Sequence, residues 1–170
     1  MNFNAAEVVR RLTETNILAQ ENGFRFCLVS GLEGMEEAVQ TMQSTRAFVC
    51  VFDNSVGYAD LENLPRTNRT FTIAFAMRYP QNGTLSETAQ AARLHVMRTL
   101  RELFRQFASA MMREQYRIEN DMQYLNSRMT MQEASKYLIP GTAVLITELT
   151  VQHYIDMQYD PKEWNDGTDD

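Results

Sequence analysis

Apolar positions change their period several times along the chain, and each change marks an element. From Ala5 to Gln20, Val8, Val9, Leu12 and Ala19 recur at helical spacing, which predicts an amphipathic helix over 5–20. Asn4 stands at its N-cap with Glu7 three residues on, a capping-box pairing. Asn22-Gly23 supplies the stop, because glycine readily takes the left-handed conformation at a helix end. FRFCLVSG (24–31) and RAFVCVFDN (46–54) are apolar on both faces. Phe24, Phe26 and Leu28 alternate with Cys27 and Val29; Ala47, Val49 and Val51 alternate with Phe48, Cys50 and Phe52. Strands covered on both sides read this way, so both runs are expected in the sheet interior. Between them, GMEEAVQTMQ predicts a short helix.

A polar connection, 55–69, follows and holds Gly57 and Pro65. At about 15 residues it is long for a tight domain and marks a functional or interaction loop. RTFTIAFAMRYP (69–80) then alternates cleanly, with Phe71, Ile73, Phe75, Met77 and Tyr79 on one face and Thr72, Ala74 and Ala76 on the other. Gln81-Asn82-Gly83 ends it. Thr84-Leu85-Ser86-Glu87 is a capping box that opens a helix running to about Ile118. Leu85, Ala89, Ala92, Val96, Leu100, Leu103, Phe104, Phe107, Ala110 and Met111 form its apolar stripe, and Arg98, Arg101 and Arg105 lie opposite. A second capping box, Thr130-Met131-Gln132-Glu133, predicts a short helix to about Leu138. Pro140-Gly141 turns the chain into a strand over 142–159. The expected fold is α+β: a mainly antiparallel sheet of about four strands, an N-terminal helix, and one long helix packed across the sheet. Residues 1–160 make one domain, and 161–170 form an acidic, mobile tail.

VQHYIDMQYD (151–160) gathers His153, Tyr154, Asp156, Tyr159 and Asp160. In a strand, His153 falls on one face and Asp156 on the other, so the two cannot share a metal or act as base and orienting group. No dinucleotide fingerprint, phosphate loop or nucleophile elbow occurs. Gly31-Leu32-Glu33-Gly34 has no following lysine, and the carboxylates Asp53, Asp60 and Glu62 read as solvated loop groups. These patterns predict neither catalytic residues nor a metal or cofactor. The net charge of −6 argues against nucleic acid as the primary partner. No apolar run is long enough to span a membrane, and Arg10 and Arg11 interrupt the one signal-peptide candidate. Cys27 and Cys50 sit in strand-like runs and read as buried free thiols, which points to a cytoplasmic protein.

Size is more informative than chemistry. A compact chain of 170 residues is roughly 40 Å across. An unbroken strand over 142–159 would span about 59 Å, and a helix over 85–118 about 51 Å. Elements that project beyond the body need a neighbour to cover them. The expected contacts are Tyr58, Leu61 and Leu64 of the polar connection and Ile155, Met157 and Tyr159 of the last strand, with Arg98, Arg101 and Arg105 as a further patch.

The order of elements resembles that of phage tail-terminator and tail-completion proteins. The matching pieces are AAEVVRRLTETNILAQ, FRFCLVSG, RAFVCVFDN, RTFTIAFAMRYP, the helix opened by TLSE, and ITELTVQHYIDMQYDP. Residues 119–141 have no counterpart. The resemblance implies a non-enzymatic structural subunit, made in the cytoplasm, that forms a homo-oligomeric ring. It would cap or join a tail tube, with other tail or neck proteins as partners and the virion as its destination. The competing expectation is a small cytoplasmic α+β domain, dimeric, that binds a ligand or peptide or serves regulation. An enzyme with an unrecognised site comes third.

Overall fold

The structure is a computed structural model describing residues 4–30, 45–52, 56–62, 65–80, 87–118, 123–134 and 141–158. The N-terminal segment is two helices rather than one, α1 (Ala5–Thr15) and α2 (Ile17–Glu21). Asn4 caps α1, its side-chain oxygen accepting from the Glu7 amide at 3.1 Å. Asn16 breaks the run because its side chain competes with the helix. It accepts from the Ala19 amide at 2.8 Å and so becomes the N-cap of α2. Its own amide group donates to Gln106 at 2.8 Å, which fixes the corner against the long helix.

Among the described residues, seven strands form one sheet: β1 (Phe24–Val29), β2 (Ala47–Phe52), β3 (Val56–Asp60), β4 (Arg66–Arg78), β5 (Gln123–Leu125), β6 (Gln132–Ala134) and β7 (Thr142–Tyr154). The main path is β1-β2-β4-β7-β5, with β3 beside β4 and β6 beside β7. β1 and β2 run parallel, so the sheet is mixed rather than antiparallel, and it has more strands than the four expected. β2 is interior and buried along its length, as its two-sided apolar pattern requires. β1 has the same pattern but ends the sheet path; Arg25 and Leu28 are exposed on it.

Two further expectations fail for the same reason, ladder pairing overriding a local signal. The described residues of the polar connection 55–69 pair as two antiparallel strands, a hairpin. β3 pairs with the start of β4 from Val56↔Thr70 to Asp60↔Arg66. Polar Arg66–Arg69 are strand because both of their edges are paired, with β3 on one side and β7 on the other. Gly57 permits the close approach, since a Cβ there would fall on the Asn68 carbonyl oxygen. The predicted helix after Thr130 is also absent over 132–134, which is β6, held on β7 at Val144–Ile146. Thr130 caps no helix. Its hydroxyl accepts from the Glu148 amide at 3.2 Å.

β4 and β7, thirteen residues each, pair along their whole length. They make a ribbon about 43 Å long, and β4 rather than a neighbouring chain covers the inner edge of β7. β7 stops at Tyr154, not at 159. Asp156 ends the extended run by accepting from the Gln158 amide at 2.9 Å, an Asx-type turn. Helix α3 (Glu87–Ile118) crosses one face. There Ile73, Phe75 and Met77 of β4 and Leu145 and Leu149 of β7 are fully buried under Val96, Leu100, Leu103, Phe107 and Met111. Phe75 meets Phe107 edge-on at 5.1 Å. Met97, outside the predicted stripe, is buried too, while Phe104 is only partly buried. The other face carries a second apolar cluster of Val29, Phe48, Cys50, Ala74, Ala76 and Val144, to which no described helix contributes.

Candidate interaction surface

The β4–β7 ribbon outruns β2, whose pairing with β4 covers only Ile73 to Met77. Its far end is built by short additions: β3 on the β4 side, and β5 on the β7 side at Gln123↔His153 to Leu125↔Val151. Asp60 pairs with Arg66, and Arg66 with Tyr154. The Ile155 amide then donates to the Pro65 carbonyl at 2.9 Å. The hairpin and the end of β7 therefore converge on one tip, although 90 or so residues of chain separate them.

Tyr58 and Leu61 of the hairpin are 67% and 56% exposed, and Met157 is 53% exposed. Ile155 is partly buried beside Pro65. Leu64 and Tyr159 lie outside the described residues. Val56, 76% exposed, belongs to the same surface and was not among the residues expected there. Its signal in the sequence is the period-two spacing to Tyr58, which the intervening Gly57 obscured. Alternation places Val56 and Tyr58 on one face of β3. The outer edge of β3 has no partner strand among the described residues. Its five residues hold no lysine or proline, and Asp60 is their one charged side chain. That carboxylate holds Arg66 at 3.3 Å and accepts from the Glu62 amide, shaping the hairpin turn.

The arginines form a separate feature. Arg101 donates to both carboxylate oxygens of Glu133 on β6, at 2.7 and 2.6 Å. This fork holds the Glu133 carboxyl below the usual glutamate range. Arg105 forks onto Glu102 one turn back, and with Gln106 holds that carboxyl at about 2. These contacts brace α3 and tie it to β6. Glu133 sits opposite Leu145, nine residues from Tyr154 along β7, or about 30 Å from the tip. Arg98 is exposed on α3. The arginine row, expected as a further patch, thus lies apart from the tip, where the hairpin and the strand end meet.

His153 lies in β7 between Thr67 of β4 and Gln123 of β5. Asp156 lies beyond the strand end and is engaged in its turn. His95 is exposed on α3. Among the described residues, no three His, Cys, Asp or Glu side chains cluster closely enough to hold a metal, and no helix is long and apolar enough to cross a membrane. Residues 31–34 and Asp53 lie outside the described residues. Cys27 and Cys50 lie on separate strands, as the two strand-like runs imply, and the β1–β2 pairing sets them side by side. No protein-family model matches this chain, and no curated protein matches it by sequence.

Proposed function

We propose that this protein is a non-enzymatic assembly subunit that associates with further copies of itself through the tip formed by β3, the hairpin and the end of β7. The observation carrying this reading is the outer edge of β3, which has no partner strand among the described residues, with Val56 and Tyr58 exposed on it, Leu61 just after it, and Met157 exposed beyond the end of β7. An edge of this kind invites strand addition from another chain. A second copy is the occupant because the resemblance in element order is to tail-terminator and tail-completion proteins, whose subunits close into rings. In that role the protein caps or joins a tube, made in the cytoplasm and carried into the virion.

A ring is a heterologous arrangement, in which the tip of one copy meets a different surface on the next. Substitution at the tip therefore abolishes association without unfolding the domain. The test is sedimentation velocity on the wild type and on the Val56→Lys/Tyr58→Lys variant, with negative-stain images of the oligomer fraction. Closed rings for the wild type and monomers for the variant support the reading. Oligomers that persist in the variant remove the tip from the interface. A defined wild-type dimer without rings favours the peptide- or ligand-binding alternative.

A further inference from the structure

Cys27 and Cys50 are register partners on the parallel pair β1–β2, and both are free thiols. Paired positions on adjacent strands project to the same face, and both cysteines belong to the second apolar cluster. Adjacent strands run about 4.8 Å apart, within the ~4.4–6.8 Å of Cα separation that a disulfide spans. Register and strand spacing therefore place the pair within the Cα range of a disulfide. Their exposures differ. Cys50 is 3% exposed on an interior strand, and Cys27 is partly exposed on the strand that ends the sheet path.

We propose that Cys27 and Cys50 form a thiol–disulfide exchange site for small-molecule disulfides of the glutathione class, with Cys27 the attacking thiol and Cys50 the resolving one. The Cys27 thiolate attacks one sulfur of the disulfide. A bond forms between that sulfur and Cys27, the reagent's own sulfur–sulfur bond breaks, and one thiolate leaves. Cys50 then gives up its proton and attacks the Cys27 sulfur. The mixed disulfide breaks, the Cys27–Cys50 bond forms, and the second thiolate departs. The two protein thiols lose two electrons and two protons in all, and the reagent gains them as two free thiols. The product is a cross-strand bridge that fastens β1, which ends the sheet path among the described residues, to the interior strand β2.

The electrostatics of the pair agree with this division of roles. A hydrogen bond from Cys50 lowers the Cys27 pKa, against the opposing effect of burial. The same hydrogen bond, and then burial, push the Cys50 thiol up. A thiol that ionises more readily at the more accessible position is the better first nucleophile. When protonated, the Cys27 thiol also lies 3.8 Å from the Leu28 carbonyl oxygen.

The experiment incubates the reduced full-length protein with oxidised glutathione, quenches with acid, and reads intact mass, free-thiol count and non-reduced peptide maps. The expected product has lost two hydrogens, has no free thiol left of its two, and gives one linked peptide joining Cys27 to Cys50 within one chain. Cys50→Ala should stop at the first step and accumulate one glutathionyl group on Cys27. Cys27→Ala should remain unmodified over the same period. The proposal is overturned if the wild type keeps both thiols, stops at a glutathionylated form, or bridges only between chains. Labelling of Cys50 before Cys27 overturns the assignment of roles. The wild-type result stands on its own should either variant fold poorly.

Discussion

Replacing Phe107 with alanine tests the packing of α3 on the sheet, and the structure sets its size against a neighbouring control. Phe107 is 1% exposed and meets Phe75 edge-on at 5.1 Å with the rings at 90°. Truncating a fully buried phenylalanine costs roughly 3–5 kcal/mol, through lost transfer energy and the cavity left behind. About 0.5–1.5 kcal/mol of that belongs to the edge-to-face pair. Phe104, one turn back, also meets Phe75, but at 6.3 Å and from a partly buried position. Its truncation should cost only about 1–2 kcal/mol. In a domain of this size each kcal/mol lowers the melting temperature by roughly 2–4 °C. Phe107→Ala should therefore melt roughly 6–20 °C lower than the wild type. Urea unfolding followed by circular dichroism gives both costs, with an unchanged m-value as the check that the same transition is compared. If Phe107→Leu is well folded and Phe107→Ala costs no more than Phe104→Ala, α3 does not lie on the sheet in this register.

Three further outcomes follow from other contacts. Asn16→Ala removes the cap of α2 and the tie to Gln106, and should lower stability by about 1–2 kcal/mol in the same urea assay; no loss would mean the helix break is not held by this side chain. Glu133→Gln tests the fork from Arg101. Because the native carboxyl is held low, its contribution is fully present above the unfolded pKa near ~4.3 and is lost as pH falls through the lower native value. The stability gap between wild type and variant should be constant from neutral pH down to mild acid and close below it; a gap that widens on acidification would contradict the pairing. Thr147 is fully buried, and its hydroxyl has no hydrogen-bond partner among the described residues, so Thr147→Val should hold or raise the melting temperature; a fall of several degrees would show that the hydroxyl is bonded.

Wherever burial on a regular period decided the element, the chain was readable. β2, the Ile73–Met77 part of β4, and the α3 stripe at Val96, Leu100, Leu103, Phe107 and Met111 carry their own evidence, because each repeats the spacing of the face it buries. Segments whose structure is lent by a neighbour were not readable. Val56–Asp60 and Gln132–Ala134 are strands through backbone pairing to β4 and β7, and their side chains record little of it. Thr130 and Glu133 even spell a helix start, yet one bonds to the β7 backbone and the other to Arg101. At the tip, Tyr58, Leu61 and Met157 are exposed apolar residues and Ile155 is partly buried, each visible in the sequence as an apolar residue in polar surroundings. Their convergence was not, since it depends on Pro65 meeting Ile155 across the sheet. The Cys27–Cys50 pairing was hidden likewise, because strand order and register are long-range properties.

The central claim is that copies of this chain join through the β3 tip. Sedimentation velocity across a wide concentration range, on the wild type beside Val56→Lys/Tyr58→Lys, measures it most directly. Both side chains are largely exposed, so the variant should keep the wild-type melting temperature and remain monomeric. The wild type should pass from monomer to a single closed species of fixed multiple mass as concentration rises. A wild type that stays monomeric at every concentration, or a folded variant that assembles as the wild type does, would contradict the account.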